Sequence, residues 1–207
     1  MNESQIVFFI FTSLFVILIP GQDLVLVMSR GMTQGAKAGI ATAAGVSTGL
    51  LGHTMLTALG LGALLMSSEI FFTLLKYLGA AYLSYLGLKL MFSPVQEFKL
   101  QSVNSRPLGK LFAIGALSNI SNPKITIFYF AFLPQFISTD VENPTLLLMT
   151  LGFVFAALTF LIKAPIGYFA GVASQWIQSR PNVIRLINKI SGAVLIGLGI
   201  KLAFEQR

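Results

Sequence analysis

Residues 109–136 read GKLFAIGALSNISNPKITIFYFAFLPQF, and the polar break inside this apolar stretch decides the fold. Its centre, residues 118–124, holds two serines, two asparagines, a proline and a lysine. A lysine at the centre of a membrane helix costs about 2.5–3.5 kcal/mol, whereas each Ile, Leu or Phe returns about 0.3–0.6 kcal/mol. The six Ile, Leu and Phe residues of 125–133 therefore offset roughly one lysine. The remaining polar side chains should face other helices or water rather than lipid.

The composition of the whole chain excludes a soluble globular domain. Of its 207 residues, 55% are hydrophobic and 10% are charged, where soluble domains carry about 25% charged residues. The apolar residues form blocks long enough to cross a bilayer. The sequence therefore predicts one all-α integral membrane domain over residues 1–207 with six transmembrane helices. We place these spans near residues 5–29, 38–63, 69–92, 109–136, 145–172 and 183–204.

The basic residues predict how the spans are oriented. Nine of the 14 Lys and Arg residues lie in the first, third and fifth connections, and three lie on the opposite side. The positive-inside rule then places these three connections in the cytoplasm and both termini outside it. Because topology accounts for the net charge of +7, that charge does not indicate nucleic-acid binding. The other two lysines, Lys124 and Lys163, are embedded, and Lys163 is read either as a snorkelling side chain or as a functional group.

Two halves of the sequence share features in the same order, which indicates an internal repeat. The polar connection 93–107 separates a first half, about residues 1–95, from a second, about residues 108–207. A proline, Pro20 or Pro123, interrupts the first span of each half, and KYLG at 76–79 returns as KISG at 189–192. Three spans per half is an odd number, so the halves must be inverted. Inverted repeats with broken helices are a recurring transporter design, with the substrate site at the breaks.

The two breaks supply the candidate site residues. A proline removes a backbone donor, and in lipid the freed carbonyl needs a protein or water partner. We assign Pro20, Gly21 and Pro123 to the helix breaks. The candidate substrate-binding residues are Asp23, Asn119, Asn122, Lys124, Gln22 and His53. Two structural alternatives stay open, namely an ion pair between Lys124 and Asp23, and His53 as a packing residue. Without cysteine and with a single histidine, the sequence predicts no metal site and no cofactor.

At this point the residues resemble the lysine-exporter (LysE/RhtB-type) family of amino-acid exporters. The resemblance covers essentially the whole chain and rests on PGQD at 20–23, the segment 31–39, GLLGHT at 49–54, ALGL at 58–61, KYLGAAYL at 76–83, NISNPK at 119–124 and FLPQF at 132–136. It implies a bacterial inner-membrane carrier of about six spans that exports amino acids or derivatives, driven by the proton motive force. Gln22 departs from the family's usual Pro-Gly-Pro, and the family pattern does not lead us to expect Lys163.

Secondary export of a small zwitterion is the leading functional hypothesis. Half-helix amino ends and Lys124 suit a carboxylate, while Asp23 suits an ammonium. The absence of a nucleotide-binding Gly-rich loop disfavours an ATP-driven pump. A structural or assembly subunit of a membrane complex is the alternative, followed by a membrane-embedded enzyme. We expect no enzyme activity, because Asp23 and His53 are the only candidates for catalytic residues and both are weak ones. The expected partners are an amino acid, the lipid bilayer and protons, and monomer and homodimer both stay open.

Overall fold

Eight α-helices make up the described part of a computed structural model of the chain. The structure describes residues 3–19, 21–61, 69–92, 105–137, 141, 143–170, 172 and 180–204. The helices are α1 (Glu3–Leu18), α2 (Gln22–Gln34), α3 (Ala36–Leu56), α4 (Glu69–Phe92), α5 (Leu108–Ile120), α6 (Pro123–Phe132), α7 (Pro144–Tyr168) and α8 (Pro181–Phe204). A π-helical turn, Thr57–Leu61, follows α3, and a 3₁₀ turn, Leu133–Phe136, follows α6. No strand occurs in these ranges, so the predicted all-α class is confirmed.

Several of the helices are long and apolar enough to cross a bilayer. Within the described residues, Pro144–Tyr168 and Asn182–Phe204 each meet this requirement alone, and α1 and α2 meet it together as a pair bent by 57°. These helices support the predicted integral membrane protein. The helices described along the other three predicted spans do not meet the requirement of length and apolarity. The six-span arrangement therefore stays a prediction.

Helix ends occur at both of the predicted breaks. Along the first predicted span, α1 ends at Leu18 and α2 begins at Gln22; Pro20 itself lies outside the described residues. Along the fourth, α5 ends at Ile120 and α6 begins at Pro123. Proline suits the first position of a helix, where its missing N–H would have had no partner within the helix. The polar segment 118–124 is therefore a junction between two short helices.

Helix α3 lies at the centre and packs against α2, α5 and α7. Its glycines make this close packing possible. A Cβ atom at Gly39 would overlap the backbone of Gly167 on α7, and one at Gly45 would overlap the carbonyl of Phe112 on α5. Small residues allow such backbone contact between membrane helices, where dispersion replaces the hydrophobic effect as the driving force. The central helix is thereby packed closely against both α5 and α7.

An aromatic cluster fixes α6 against α1 and α7. The Phe9 ring stacks on Phe132 with centroids 5.9 Å apart, and Phe128 packs on Phe155 of α7 at 5.4 Å. All four rings are almost fully buried. Aromatic pairs of this kind contribute about 0.5–1.5 kcal/mol each beyond the area they bury. The cluster thus holds the later part of α6 against α1 and α7.

Candidate substrate site

Asp23 is a buried carboxylate in the first turn of α2, and its side chain lies inside the protein. The residue is 4% exposed. Helix α2 begins after Gly21, which has no side chain to cap the first N–H groups of the helix. The amino end of a helix carries partial positive charge, which stabilises a carboxylate in the first turn. The break between α1 and α2 therefore creates a position where a negative charge is tolerated inside the membrane domain.

Lys163 of α7 is the cation that pairs with this carboxylate. Its Nζ lies 3.6 Å from Asp23 Oδ2, and the residue is 6% exposed. Because Lys163 is buried in the protein, the snorkelling interpretation is wrong. Leaving one member of a buried ion pair without its partner costs about 3–5 kcal/mol. The two charges therefore depend on each other, and they connect α2 to α7.

Asn119 links the ion pair to His53. Its Nδ2 donates to Asp23 Oδ2 at 2.8 Å, and its backbone oxygen lies 3.1 Å from His53 Nε2. A carbonyl only accepts hydrogen bonds, so this contact places the imidazole proton on Nε2. Both Asn119 and His53 are buried. Three of the predicted site residues, from α2, α3 and α5, thus form one connected polar group.

The start of α6 brings Lys124 to the same place without an ion pair to Asp23. Among the described residues the ion pair to Asp23 is the one from Lys163, so the proposed pairing of Lys124 with Asp23 is wrong. Lys124 is half-buried and interacts electrostatically with both Asp23 and Lys163. A Cβ atom built on Gly21 would lie 3.4 Å from its Nζ. Lys124 therefore lies beside the break that precedes α2.

Two further predicted residues, Asn122 and Gln22, lie near this polar group without a hydrogen bond to Asp23 among the described contacts. Asn122 is buried, and its Oδ1 accepts a hydrogen bond from the backbone N–H of Lys124 at 3.1 Å. This is a helix N-cap, typically worth about 1 kcal/mol. Gln22 is exposed, and its Nε2 donates to Ser118 Oγ at 3.1 Å. The Gln22 contact joins the two breaks, and the Asn122 contact caps the start of α6.

Sequence reasoning missed two neighbours of His53. The Tyr129 ring lies 5.6 Å from the imidazole, centroid to centroid, and the Thr54 hydroxyl lies 3.5 Å from the Tyr129 hydroxyl. Both side chains are buried. Tyr129 lies in a run of aromatic residues, and nothing in the sequence pattern distinguishes it from the phenylalanines beside it. Thr54 is one residue after His53, and only the packed structure shows that it reaches across to α6.

Several polar atoms of the group are buried without a hydrogen-bond partner, which gives it the capacity to bind a ligand. These atoms are Asp23 Oδ1, Asn119 Oδ1 and His53 Nδ1. The first two are acceptors, which suit an ammonium group, and the two lysines suit a carboxylate. Buried polar atoms normally have partners, so unpaired ones call for an explanation such as a ligand or water. The described residues contain no cluster of three or more His, Cys, Asp and Glu side chains suited to a metal ion.

Comparison with known proteins places the chain in a family. The family model described as a LysE type translocator matches residues 14–206. An uncharacterized membrane protein of Bacillus subtilis (strain 168), YrhP, is 35% identical over 196 residues, covering 89% of this chain and 91% of the relative. A leucine efflux protein of Klebsiella pneumoniae is 27% identical over 195 residues, covering 94% and 92%. No solved structure matches. The resemblance found in the sequence is confirmed, and the chain belongs to the LysE family of translocators.

Proposed function

We propose that the chain exports an amino acid or a close derivative from the cytoplasm, in exchange for protons entering the cell. The observation that carries this proposal is the buried Asp23–Lys163 pair, whose carboxylate has one oxygen without a hydrogen-bond partner. Ionisable residues inside a membrane domain are costly and usually mark a transport pathway. Membership of a translocator family and similarity to leucine efflux proteins support the same function. A structural subunit of a larger complex would have no use for an unsatisfied buried carboxylate.

The substrate fits the site as a zwitterion in this proposal. Its ammonium group contacts Asp23 Oδ1 and Asn119 Oδ1, and its carboxylate contacts Lys124 and the uncapped amino end of α2. Lys163 balances the charge of Asp23 when no substrate is bound. Gln22 and Asn122 hold the breaks in position, and His53 orients Asn119 through its backbone oxygen. Pro20, Gly21 and Pro123 create the helix ends that make this geometry possible.

Protonation of Asp23 provides the coupling in the same proposal. An ionised carboxylate binds the ammonium group, whereas a protonated one does not attract it. A proton arriving from outside therefore releases the substrate to the outside, and its departure on the cytoplasmic side restores the binding state. One proton enters for each substrate that leaves, so the proton gradient drives export.

Six spans in two inverted halves form the framework of this proposal. The contacts between α4 and α8, the last helices of the two halves, support it. A Cβ atom at Gly87 would meet the backbone of Gly192, and one at Gly199 would lie 2.7 Å from the carbonyl oxygen of Ala80. The segment LGLKL at 86–90 resembles LGIKL at 198–202, which pairs Gly87 with Gly199. The KYLG and KISG segments pair Gly79, the neighbour of Ala80, with Gly192. An inverted repeat would produce such reciprocal contacts.

Export and its coupling are tested in membrane vesicles of a bacterium that overproduces the protein. Vesicles preloaded with radiolabelled leucine should lose the label faster than vesicles without the protein, and a protonophore should abolish the difference. A panel of other labelled amino acids is tested in parallel, because the relatives alone suggest leucine. If no amino acid leaves faster than from the control vesicles, the proposal of export fails. Efflux against a concentration gradient without any ion gradient would refute the coupling.

The orientation is tested separately. We propose that the protein lies in the inner membrane of a bacterium. From the distribution of basic residues, we propose that both of its termini lie outside the cytoplasm. Reporter fusions after Gln101 should report a cytoplasmic position, and fusions after Asp140 should report an external one. The reverse pattern would overturn the proposed orientation. The substrate would then reach the site from the opposite face of the protein, and so would the proton.

A further inference from the structure

A second polar cluster lies away from the candidate substrate site, where the end of α2 meets the residues before α5. Arg30 and Gln34 are four residues apart on α2 and so share one face of the helix. Gln34 Oε1 accepts a hydrogen bond from the backbone N–H of Arg106 at 2.8 Å. Arg106 also lies close enough to Arg30 for the two cations to repel each other. We call these three residues the Arg30 cluster.

Hydrogen-bond donors in the Arg30 cluster lack acceptors. Three donor atoms, Arg30 Nε, Arg30 Nη1 and Gln34 Nε2, are shielded from solvent and have no hydrogen-bond partner among the described residues. The contact with Arg106 fixes the orientation of the Gln34 amide, because only its oxygen can accept from a backbone N–H. Its NH₂ group is therefore a true unpaired donor. Two cations and an unpaired amide donor form a group that requires a negatively charged acceptor.

The acidic side chains that the structure describes do not satisfy this requirement. They belong to Glu3, which is exposed on α1, and to Asp23, which pairs with Lys163. Asp23 also lies seven residues before Arg30 on α2, about 10 Å away along the helix axis. Neither carboxylate forms an ion pair with Arg30. No carboxylate of the described residues is therefore the partner of the cluster.

We propose that the Arg30 cluster binds a phosphate group, carried either by an anionic phospholipid or by free inorganic phosphate. Arginine is the side chain best suited to phosphate because its planar guanidinium offers several donors in a fixed arrangement. The cluster follows the apolar part of α2, residues 24–28, and precedes α5. Both segments lie at the ends of predicted spans, which is where the lipid headgroups of the bilayer are expected. Anionic headgroups attract clustered Lys and Arg residues at this level.

A bound phosphate would connect the two halves of the chain. Arg30 and Gln34 belong to the first half, and Arg106 immediately precedes the second. The anion would remove the repulsion between the arginines and fix the carboxyl end of α2, the helix that carries Asp23 at its other end. This site is independent of the proposed export function, since it requires neither a substrate nor a proton gradient.

Thermal unfolding of the purified full chain in uncharged detergent tests the proposal. Phosphatidylglycerol should raise the melting temperature by about 5 °C at saturation, whereas phosphatidylcholine should not. Arg30→Gln should remove this increase. Lys37→Gln is the matched control, because Lys37 is an exposed cation next to α2, and it should keep the increase. Inorganic phosphate is the third arm. An equal increase with it identifies free phosphate as a ligand, and an increase with phosphatidylglycerol alone identifies the lipid.

Two outcomes would overturn the proposal. The first is that neither phosphate compound raises the melting temperature of the unaltered protein. The second is that Arg30→Gln keeps the full increase. If Arg30→Gln does not fold, the proposal is tested on the unaltered protein alone. There, 0.5 M salt should reduce the increase in melting temperature caused by phosphatidylglycerol, because salt screens the attraction between the arginines and the phosphate.

Discussion

Export by an Asp23→Asn variant is expected to fall about a hundredfold. Asparagine keeps the shape of the side chain and can still accept from Asn119. It cannot carry the charge that attracts an ammonium group, and it cannot take up and release a proton. An interaction worth about 3 kcal/mol, at the low end for a buried ion pair, corresponds to roughly a hundredfold in rate. The initial rate of efflux is measured from preloaded vesicles that contain equal amounts of each variant.

Glu3→Gln is the matched control for this experiment. Glu3 is an exposed carboxylate on α1, so its replacement removes the same charge far from the ion pair. Its export should stay within about twofold of the unaltered protein, as for most surface substitutions. If Asp23→Asn also stayed within that range, the carboxylate would have no part in substrate binding or in coupling.

Lys163→Met is expected to abolish export and also to lower stability. Methionine is similar in length and apolar, so insertion into the membrane is not impaired. Its presence leaves Asp23 as a buried carboxylate without its partner, which costs about 3–5 kcal/mol. The melting temperature of the purified protein and its abundance in the membrane should both fall. Efflux per molecule, measured at matched abundance, should also be lost.

Lys189→Met is the control for the loss of a lysine. Lys189 is exposed on α8, and its replacement should change neither the melting temperature nor export. An active Lys163→Met variant of normal stability would contradict the account. It would mean that Lys124, which already interacts with Asp23 electrostatically, moves to neutralise the carboxylate unaided.

The two helix ends in the polar segments could be anticipated from the sequence, because their causes are local. A proline among several polar residues, as in 118–124, favours a helix end through its own local sequence. The sequence therefore indicated that Asp23 and Asn119 belong to the breaks, and the structure brings them within hydrogen-bonding distance. The partner of Asp23 could not be predicted. It depends on how α7 is rotated about its axis, which is set by packing such as that of Gly167 on Gly39.

The burial of helix α3 was also difficult to predict from the sequence. It is rich in Gly, Ala, Ser and Thr, so its apolarity is moderate, yet many of its residues are buried against neighbouring helices. Small residues suit a central position because they allow backbones to approach closely. Hydropathy alone describes such a helix poorly. His53 could be singled out as an ionisable residue in an apolar segment, whereas its neighbour Tyr129 could not, since an aromatic residue there is equally suited to packing.

The double variant Asp23→Asn/Lys163→Met removes both charges of the ion pair together and so separates its role in stability from its role in transport. Substitutions of directly interacting residues are not additive, and replacing a buried ion pair by uncharged groups is often neutral for stability. We expect the melting temperature and membrane abundance to recover toward those of the unaltered protein while export stays abolished. A double variant that recovers export together with stability would show that the pair only holds α2 against α7, and would contradict its role in transport.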